Sequence, residues 1–380
     1  MTKSTSHDAT LIIFSDVDGS EMLTAIVAKL ISEKMNIRIL LILKSDASAI
    51  KEITKLDVPV ELWLRKGGTS WLKYIFKIFI TIRQRHISQI YCSGQLATLL
   101  GITAGFLGRS KSRIYTRHHS NVHHSKTGLR WRNKRALVFD LIMNRLSTKI
   151  IAVSNLIRNV LVEAERVPPS KVMTIYNGIV LRKFQCDIPH LDRRVLSAEE
   201  SNYPKIGVIS RITEGKGVEY SAMAFCQIAK KYPGARLIII GEPSDSYQRV
   251  ADILSVLDPS KYEFRAKEDR IAEFYKEIDL FVHVPISADF EAFGLVYIEA
   301  IASRVPSIFT ISGILKELEE PEKYFTIVPY RNSVAIAHAI NDYIEGSGNL
   351  GRDVPEAWLS RFSLENTAAE YFEVLKQVNS

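Results

Sequence analysis

Cysteine is scarce in this sequence of 380 residues, which contains only Cys92, Cys186 and Cys226. The three are widely spaced, odd in number and form no Cys-x-x-Cys pair, so they indicate neither a disulfide framework nor a zinc site. No apolar run approaches the roughly 20 residues that a membrane-spanning helix needs, and the run at residues 11–14 is too short for a signal peptide. These absences predict a cytoplasmic protein.

Acidic residues are missing from one long stretch of the chain. Residues 62–139 contain none, whereas they contain fifteen lysines and arginines. As a result, residues 1–190 carry 29 Lys+Arg against 13 Asp+Glu, a net charge of +16, and the rest carries 21 against 29, a net charge of −8. A solubilising surface rarely excludes acids over such a length, so we expect an anionic partner for the first half. Nucleic acid is disfavoured because no base-stacking module or recognition-helix motif accompanies the charge.

The side-chain pattern of residues 70–86 predicts an unusually apolar helix. Lys73, Lys77 and Gln84 fall on one narrow face of it, and aromatic and aliphatic side chains cover the rest. Such a helix is either buried or partly inserted into a membrane interface. Its place before a predicted strand makes it a crossover helix, which favours burial, whereas basic residues beside apolar surface favour contact with an anionic membrane. Both interpretations stay open.

Short apolar runs alternate with helical patterns from end to end, which indicates an α/β protein with parallel sheets. The length suits two domains, and the polar residues 186–204 are typical of a linker. We expect a first domain at 1–188 and a second at 204–361, with a helix within 362–380 that follows Ser363 and packs back on the first domain. The predicted strands lie at residues 10–15, 38–43, 60–64, 89–93, 113–116, 149–153, 172–175, 206–210, 237–241, 280–284, 306–310 and 326–329.

Two glutamates follow the predicted strand at 280–284. Glu291 lies in the loop after that strand, and Glu299 lies inside the helix that the chain enters near Gly294. Ligands of an open parallel sheet bind at the carboxyl ends of its strands, and the free amides at a helix start favour a phosphate. Both carboxylates are therefore placed to accept hydrogen bonds from the hydroxyls of a sugar or a ribose.

Two cations follow the predicted strand at 206–210 in the same way. Arg211 and Lys216 lie in Ser-Arg-Ile-Thr-Glu-Gly-Lys-Gly, between that strand and the next helix. Such a pair is suited to holding a diphosphate and to stabilising its charge as it leaves. Arginine and lysine in a loop are commonplace, but together with the two glutamates their spacing is distinctive.

These four residues resemble the retaining glycosyltransferases of family 4. Glu291 and Glu299 match the family's two glutamates, which are separated by seven residues, and Arg211 and Lys216 match its basic pair. The resemblance covers nearly the whole chain, and it implies the GT-B fold, in which two Rossmann-like domains have parallel sheets that face a central cleft.

The resemblance also implies a role for each residue. Glu291 binds hydroxyls of the donor sugar, Glu299 binds the ribose of the nucleotide, and Arg211 and Lys216 hold the leaving diphosphate. No metal or other cofactor is required, because cationic side chains and a helix N-terminus supply the charge that a divalent ion would otherwise provide. Four residues at the helix start assist with their amides: Phe293, Gly294, Leu295 and Val296.

In the first half the resemblance is looser. The family's glycine-rich loop after the first strand corresponds to Gly19, where backbone can approach the donor phosphate or the acceptor. The family's histidine at the end of a later strand, which contacts the transferred sugar, corresponds to His118, although His119 is adjacent. The expected reaction transfers a sugar from a nucleotide-sugar donor to a lipid-linked or membrane-displayed glycan, as in bacterial surface-polysaccharide assembly, at the inner face of the cytoplasmic membrane.

Two other interpretations compete with this one. Asp16 and Asp18 resemble the Asp-x-Asp-Gly-Thr motif of haloacid dehalogenase-type phosphatases, but the later acidic pair of that family is missing from the sequence. A catalytically inactive GT-B-fold protein that binds anionic membrane would explain the charge, but not the intact set of cations and glutamates.

Overall fold

The computed structural model describes residues 9–15, 20–43, 53, 55–64, 71–119, 131–185, 204–268, 270–346 and 354–376. The chain divides into two compact units, the first formed by Met1–Ile179 and Arg361–Ser380 and the second by Val180–Ser360. Phe184 packs in the second unit, with its ring centroid 6.0 Å from that of Tyr275. The expected end of the first domain at residue 188 lies outside the described residues.

Strands and helices alternate along the first unit. In the described residues they are β1 (Ala9–Ser15), α1 (Ser20–Ser32), β2 (Ile37–Leu43), β3 (Val60–Leu64), α2 (Trp71–Gln84), β4 (Ile87–Ser93), α3 (Gln95–Leu107), β5 (Ser112–Arg117), α4 (Trp131–Leu146), β6 (Lys149–Ala152), α5 (Asn155–Asn159), which continues as a π-helical turn (Val160–Ala164), and β7 (Val172–Thr174). The seven strands form one parallel sheet with the order β3-β2-β1-β4-β5-β6-β7. The order reverses between β1 and β4, where Phe14 lies opposite Ser93.

The second unit repeats the pattern. Its described elements are α6 (Leu181–Phe184), β8 (Lys205–Ile209), α7 (Val218–Lys231), β9 (Arg236–Ile240), α8 (Tyr247–Leu254), β10 (Tyr262–Arg265), α9 (Ile271–Glu277), β11 (Leu280–His283), α10 (Leu295–Ala302), β12 (Ser307–Phe309), β13 (Thr326–Ile327), α11 (Ser333–Ile344) and α12 (Glu356–Leu359). The parallel sheet has the order β10-β9-β8-β11-β12-β13. It reverses between β8 and β11.

The two parallel sheets confirm the predicted α/β fold class. Strands β1 and β2 are mostly apolar and almost wholly buried, as expected for a parallel sheet that is covered on both faces. Strand β10 was not predicted. It lies at the edge of its sheet and is only half-buried, and its sequence Tyr-Glu-Phe-Arg alternates apolar with charged residues, so it lacks the continuous apolar run that marked the others.

Helix α13 (Leu364–Lys376) belongs to the first unit. The hydroxyl of Ser363 accepts a hydrogen bond from the amide of Asn366 at 3.1 Å, which caps the start of the helix. Tyr371 on α13 lies in the same buried apolar cluster as Phe14 of β1, and its hydroxyl lies 3.0 Å from that of Thr116 on β5. The helix therefore completes the core of the first unit.

Helix α2 is buried on one side only. Ile78 and Ile82 are buried, whereas Leu72 is 76% exposed, Phe76 64% and Trp71 45%. Core packing thus explains one side of this helix and leaves a set of large apolar side chains at the surface. Within the described residues, no helix combines the length and the apolar character needed to cross a membrane.

Candidate functional site

The strand reversal in the second unit brings two of the predicted residues together. Strands β8 and β11 are neighbours, with Ile206 opposite Leu280, so the loops that leave their carboxyl ends enter the same region. The loop after β8 carries Lys216, and the loop after β11 carries Glu291. The Nζ atom of Lys216 lies 2.5 Å from Oε1 of Glu291, which joins side chains 75 residues apart in the sequence.

Two glycines allow this approach. Gly217 has φ +70°, and a Cβ atom there would lie 2.0 Å from the carbonyl oxygen of Val284. A Cβ atom on Gly215 would lie 1.6 Å from the ring of Phe290. A side chain at either position would push the two loops apart, so the Gly-Lys-Gly sequence is what permits the ion pair.

Glu291 is buried, with 6% of its surface exposed. Its Oε1 atom accepts from Lys216 and from Nε2 of His283, the latter at 3.0 Å, and its backbone amide donates to Oγ of Ser312 at 3.1 Å. Burial acts to raise the pKa of Glu291, but the hydrogen bond from His283 and the charge of Lys216 outweigh it and lower the pKa to about 2. Glu291 is therefore a carboxylate at any physiological pH.

Glu299 lies on α10 in a different environment. Its Oε2 atom is 3.1 Å from the hydroxyl of Tyr275, which is also 3.3 Å from the carbonyl oxygen of Val296. Burial raises the pKa of Glu299 to about 7, against the opposing effect of the hydrogen bond with Tyr275. Near neutral pH this carboxyl group is therefore divided between its charged and neutral forms.

Helix α10 begins with an open N-terminus. Gly294 has φ +85° and precedes the helix with no side-chain cap, so the amides of Leu295 and Val296 lack an intrahelical acceptor. Phe293 is buried, and its carbonyl oxygen accepts from the amide of Ile314 at 2.8 Å. The start of α10, three residues after Glu291, can therefore bind an anion.

Arg211 is placed differently from its predicted partner. Its side chain is exposed, and the contacts found for the described residues include no hydrogen bond or ion pair of its guanidinium group. The two predicted cations thus differ: Lys216 is held against Glu291, and the side chain of Arg211 is exposed to solvent.

In the first unit, His118 follows β5. Its Nε2 atom lies 2.9 Å from Oγ of Ser93, the last residue of β4. Burial, helped by the neighbouring charge of His119, lowers the pKa of His118 to about 4, so its imidazole is neutral at physiological pH. His119 instead has Nε2 3.3 Å from Oδ2 of Asp140. Gly19 lies outside the described residues.

A buried ion cluster precedes these histidines, and apart from the basic charge no sequence pattern predicts it. Arg117 has 1% of its side chain exposed and lies 2.7 Å from Oδ2 of Asp140 and 3.0 Å from Oε1 of Glu165. Asn144 donates to the other carboxylate oxygen of Glu165 at 2.5 Å. These contacts link the end of β5 to α4. Loss of one partner would leave a buried charge uncompensated, which would destabilise the fold.

His283 and Tyr275, which contact the two glutamates of the second unit, are not predicted as site residues from the sequence. Both lie among buried aromatic rings, so in the sequence they are typical of core residues. The one available signal was a single histidine at the carboxyl end of an apolar strand, directly before the loop that carries Glu291.

Comparison with known proteins places the whole arrangement in a family. A family model described as glycosyl transferases group 1 matches residues 192–357, and one described as glycosyltransferase family 4 matches residues 24–183. The chain belongs to glycosyltransferase family 4. The resemblance drawn from Glu291, Glu299, Arg211 and Lys216 is thereby confirmed, and the match favours a glycosyltransferase over the phosphatase interpretation.

Curated relatives of this family 4 chain match it over part of their length. An uncharacterized glycosyltransferase of Methanocaldococcus jannaschii is 26% identical over 243 residues, which are 60% of each chain. A D-inositol 3-phosphate glycosyltransferase of Segniliparus rotundus is 26% identical over 218 residues, which are 53% of this chain and 45% of the relative. The match to this chain therefore covers less than two thirds of either relative.

A solved structure matches nearly the entire family 4 chain. Anabaena HepE in complex with UDP-glucose superimposes with a TM-score of 0.73 and 21% identity, over 97% of this chain and 99% of HepE. At this identity the likeness shows the fold, which is GT-B with two Rossmann-like units, as predicted.

Proposed function

We propose that this chain is a retaining, metal-independent hexosyltransferase, which moves a sugar from a nucleotide-sugar donor to a glycan or lipid-linked acceptor at a membrane. The observation that carries the proposal is the pair formed by Lys216 and Glu291 at the carboxyl ends of β8 and β11, directly before the open start of α10. That combination offers a cation and free amides to a diphosphate, and a carboxylate to hydroxyl groups.

Each residue of the second unit has a place in this proposal. Lys216 and the amides of Leu295 and Val296 bind the diphosphate of the donor, and Glu291 accepts a hydrogen bond from a hydroxyl of the donor sugar. Glu299 accepts from the ribose. The crystal structures of Anabaena HepE with UDP and with UDP-glucose support a nucleotide sugar as the donor.

Retention follows from a reaction on one face of the sugar. The diphosphate leaves, and one of its oxygens accepts the proton of the acceptor hydroxyl as that hydroxyl attacks the same face, so no covalent nucleophile is needed. Lys216 and Arg211 stabilise the negative charge that builds on the leaving group. Their charge takes the place of a divalent ion in this mechanism. His118, neutral and held by Ser93, is proposed to contact the transferred sugar.

Helix α2 supports a membrane location for the acceptor. Leu72 and Phe76 are largely exposed, and Lys73 between them is exposed as well, with no ion pair among the described residues. Apolar side chains next to a lysine suit the interface of an anionic bilayer. Lys77 has a structural contact instead, with Nζ 3.1 Å from Oε1 of Glu61. We propose a peripheral attachment to the inner face of the cytoplasmic membrane, and a role in surface-polysaccharide synthesis.

A thermal-shift screen of UDP-, GDP- and ADP-sugars tests the donor proposal. A donor present at 100 times its Kd stabilises the folded state by about 2.7 kcal/mol, so at least one series should raise the melting temperature. Lys216→Ala is the matched control and should lose most of that rise. Absence of any shift, together with salt-sensitive pelleting on anionic vesicles, would instead favour a membrane-binding protein without catalysis.

A further inference from the structure

Among the described residues, His283 is the one imidazole in contact with the proposed donor-binding carboxylates, and the proposed reaction assigns it no step. It ends β11 and is almost fully buried. Its ring lies between those of Phe281, parallel at 6.3 Å between centroids, and Tyr297, edge-on at 4.8 Å. These contacts hold the imidazole plane in one orientation, with Nε2 3.0 Å from Oε1 of Glu291.

The surroundings of the ring determine its tautomer. Nδ1 of His283 is buried and has no hydrogen-bond partner among the described residues. A proton on Nδ1 would therefore be an unsatisfied buried donor, and the lone pair of Nε2 would then face a carboxylate oxygen, which is repulsive. Burial and the nearby charge of Lys216 lower the pKa of His283, against the opposing hydrogen bond with Glu291. The ring is thus neutral, with its proton on Nε2.

Both donors to Glu291 act on the same oxygen. Oε1 accepts from Lys216 and from His283, whereas Oε2 has no hydrogen bond to a described residue. Because two donors on Oε1 restrict rotation of the carboxylate, Oε2 keeps one position and both of its lone pairs. A hydroxyl of a bound sugar then meets an acceptor that is already oriented.

We propose that His283 is a positioning residue for donor-sugar recognition: its Nε2–H holds Oε1 of Glu291 so that Oε2 accepts from the sugar hydroxyl. The inference rests on the proposed function, because Glu291 needs a fixed orientation only if it accepts a hydrogen bond from a hydroxyl of the donor sugar. It concerns the sugar and not the nucleotide, since Glu299 is held separately by Tyr275.

Two substitutions separate the hydrogen bond from the packing. His283→Phe keeps an aromatic ring between Phe281 and Tyr297 and removes the donor, whereas His283→Gln places an amide donor near the position of Nε2. Loss of a hydrogen bond to a charged group corresponds to about 10- to 100-fold. We expect His283→Phe to lower affinity for the nucleotide sugar by that factor and to leave affinity for the free nucleotide within about 2-fold, and His283→Gln to restore most of the loss.

The measurement is isothermal titration of wild type and both variants with UDP-, GDP- and ADP-glucose and, in parallel, with free UDP, GDP and ADP. The inference is overturned if His283→Phe folds and binds a nucleotide sugar as well as wild type does, which leaves the proposed function intact. A wild-type protein that binds none of the six compounds would refute the proposed function itself.

A second measurement needs no variant. Long-range ¹H–¹⁵N spectra of the uniformly ¹⁵N-labelled wild-type protein distinguish the two histidine tautomers, with a His283→Gln sample to assign the signal. We expect the Nε2–H form of His283 at pH 7. A proton on Nδ1 at that pH would exclude the hydrogen bond to Glu291 and with it the positioning role.

Discussion

Replacement of Glu299 by glutamine should stabilise the protein at alkaline pH. In the folded protein burial raises the pKa of this carboxyl to about 7, from an ordinary value of 4.5. Between these two values the folded state binds more protons than the unfolded state, so the free energy of unfolding falls as pH rises. The loss begins near pH 4.5 and is complete above pH 7.

The size of the effect follows from the two pKa values. At about 1.4 kcal/mol per pKa unit, ionisation of Glu299 lowers the stability of the wild-type protein by about 2.5 kcal/mol between pH 5 and pH 8. Because the side chain is not fully buried, this is an upper bound. Glu299→Gln keeps the size of the side chain and an acceptor for the hydroxyl of Tyr275, and it removes the titration.

Urea denaturation of both proteins at pH 5 and at pH 8 measures the difference. The variant should gain up to about 2.5 kcal/mol relative to wild type on going from pH 5 to pH 8. Glu356→Gln is the control, because Glu356 is an exposed glutamate at the start of α12, and it should show no such gain. An equal difference between wild type and Glu299→Gln at both pH values would refute the reasoning.

Three further outcomes are expected. Arg211→Ala or Lys216→Ala should lower kcat by about 10²–10³-fold, the range for one lost donor to a developing negative charge; near-normal turnover by well-folded variants would contradict the diphosphate role. Sugar transfer should survive incubation with EDTA, and strict dependence on an added divalent metal would contradict a charge supplied by side chains alone. Lys73→Glu combined with Phe76→Ser should weaken sedimentation with anionic vesicles several-fold while nucleotide binding is unchanged, and equal sedimentation would remove α2 from the membrane contact.

The part of the site that could be predicted consists of residues that lie close together in the sequence. Glu291, the start of α10 and Glu299 lie within nine residues, and their order along strand, loop and helix fixes their relative position. The meeting of Lys216 with Glu291 required one further rule, that the carboxyl ends of adjacent parallel strands deliver their loops to the same place. In the structure an ion pair joins the two side chains.

The residues that could not be predicted act through burial and long-range packing. A histidine in an apolar strand is typical of a core residue. The contact that gives His283 a different role is made with Glu291, which lies in the loop after β11, and only the tertiary structure shows it. Tyr275 contacts a glutamate 24 residues away on another helix. Arg117 sits in a stretch whose charge suggested a surface, yet it is buried between carboxylates from distant segments.

The position of helix α13 has a consequence for how the chain folds during synthesis. Tyr371 and Leu375 fill the same core as Ile12 and Phe14, but they leave the ribosome only after every strand of the second unit has been made. The second unit can therefore fold first. Until α13 is available, the part of the first unit that is already synthesised exposes the apolar side chains that this helix covers. A nascent chain that ends before residue 364, joined to a stalled ribosome by a linker long enough to clear the exit tunnel, should have a later half that resists protease and an earlier half that recruits chaperones.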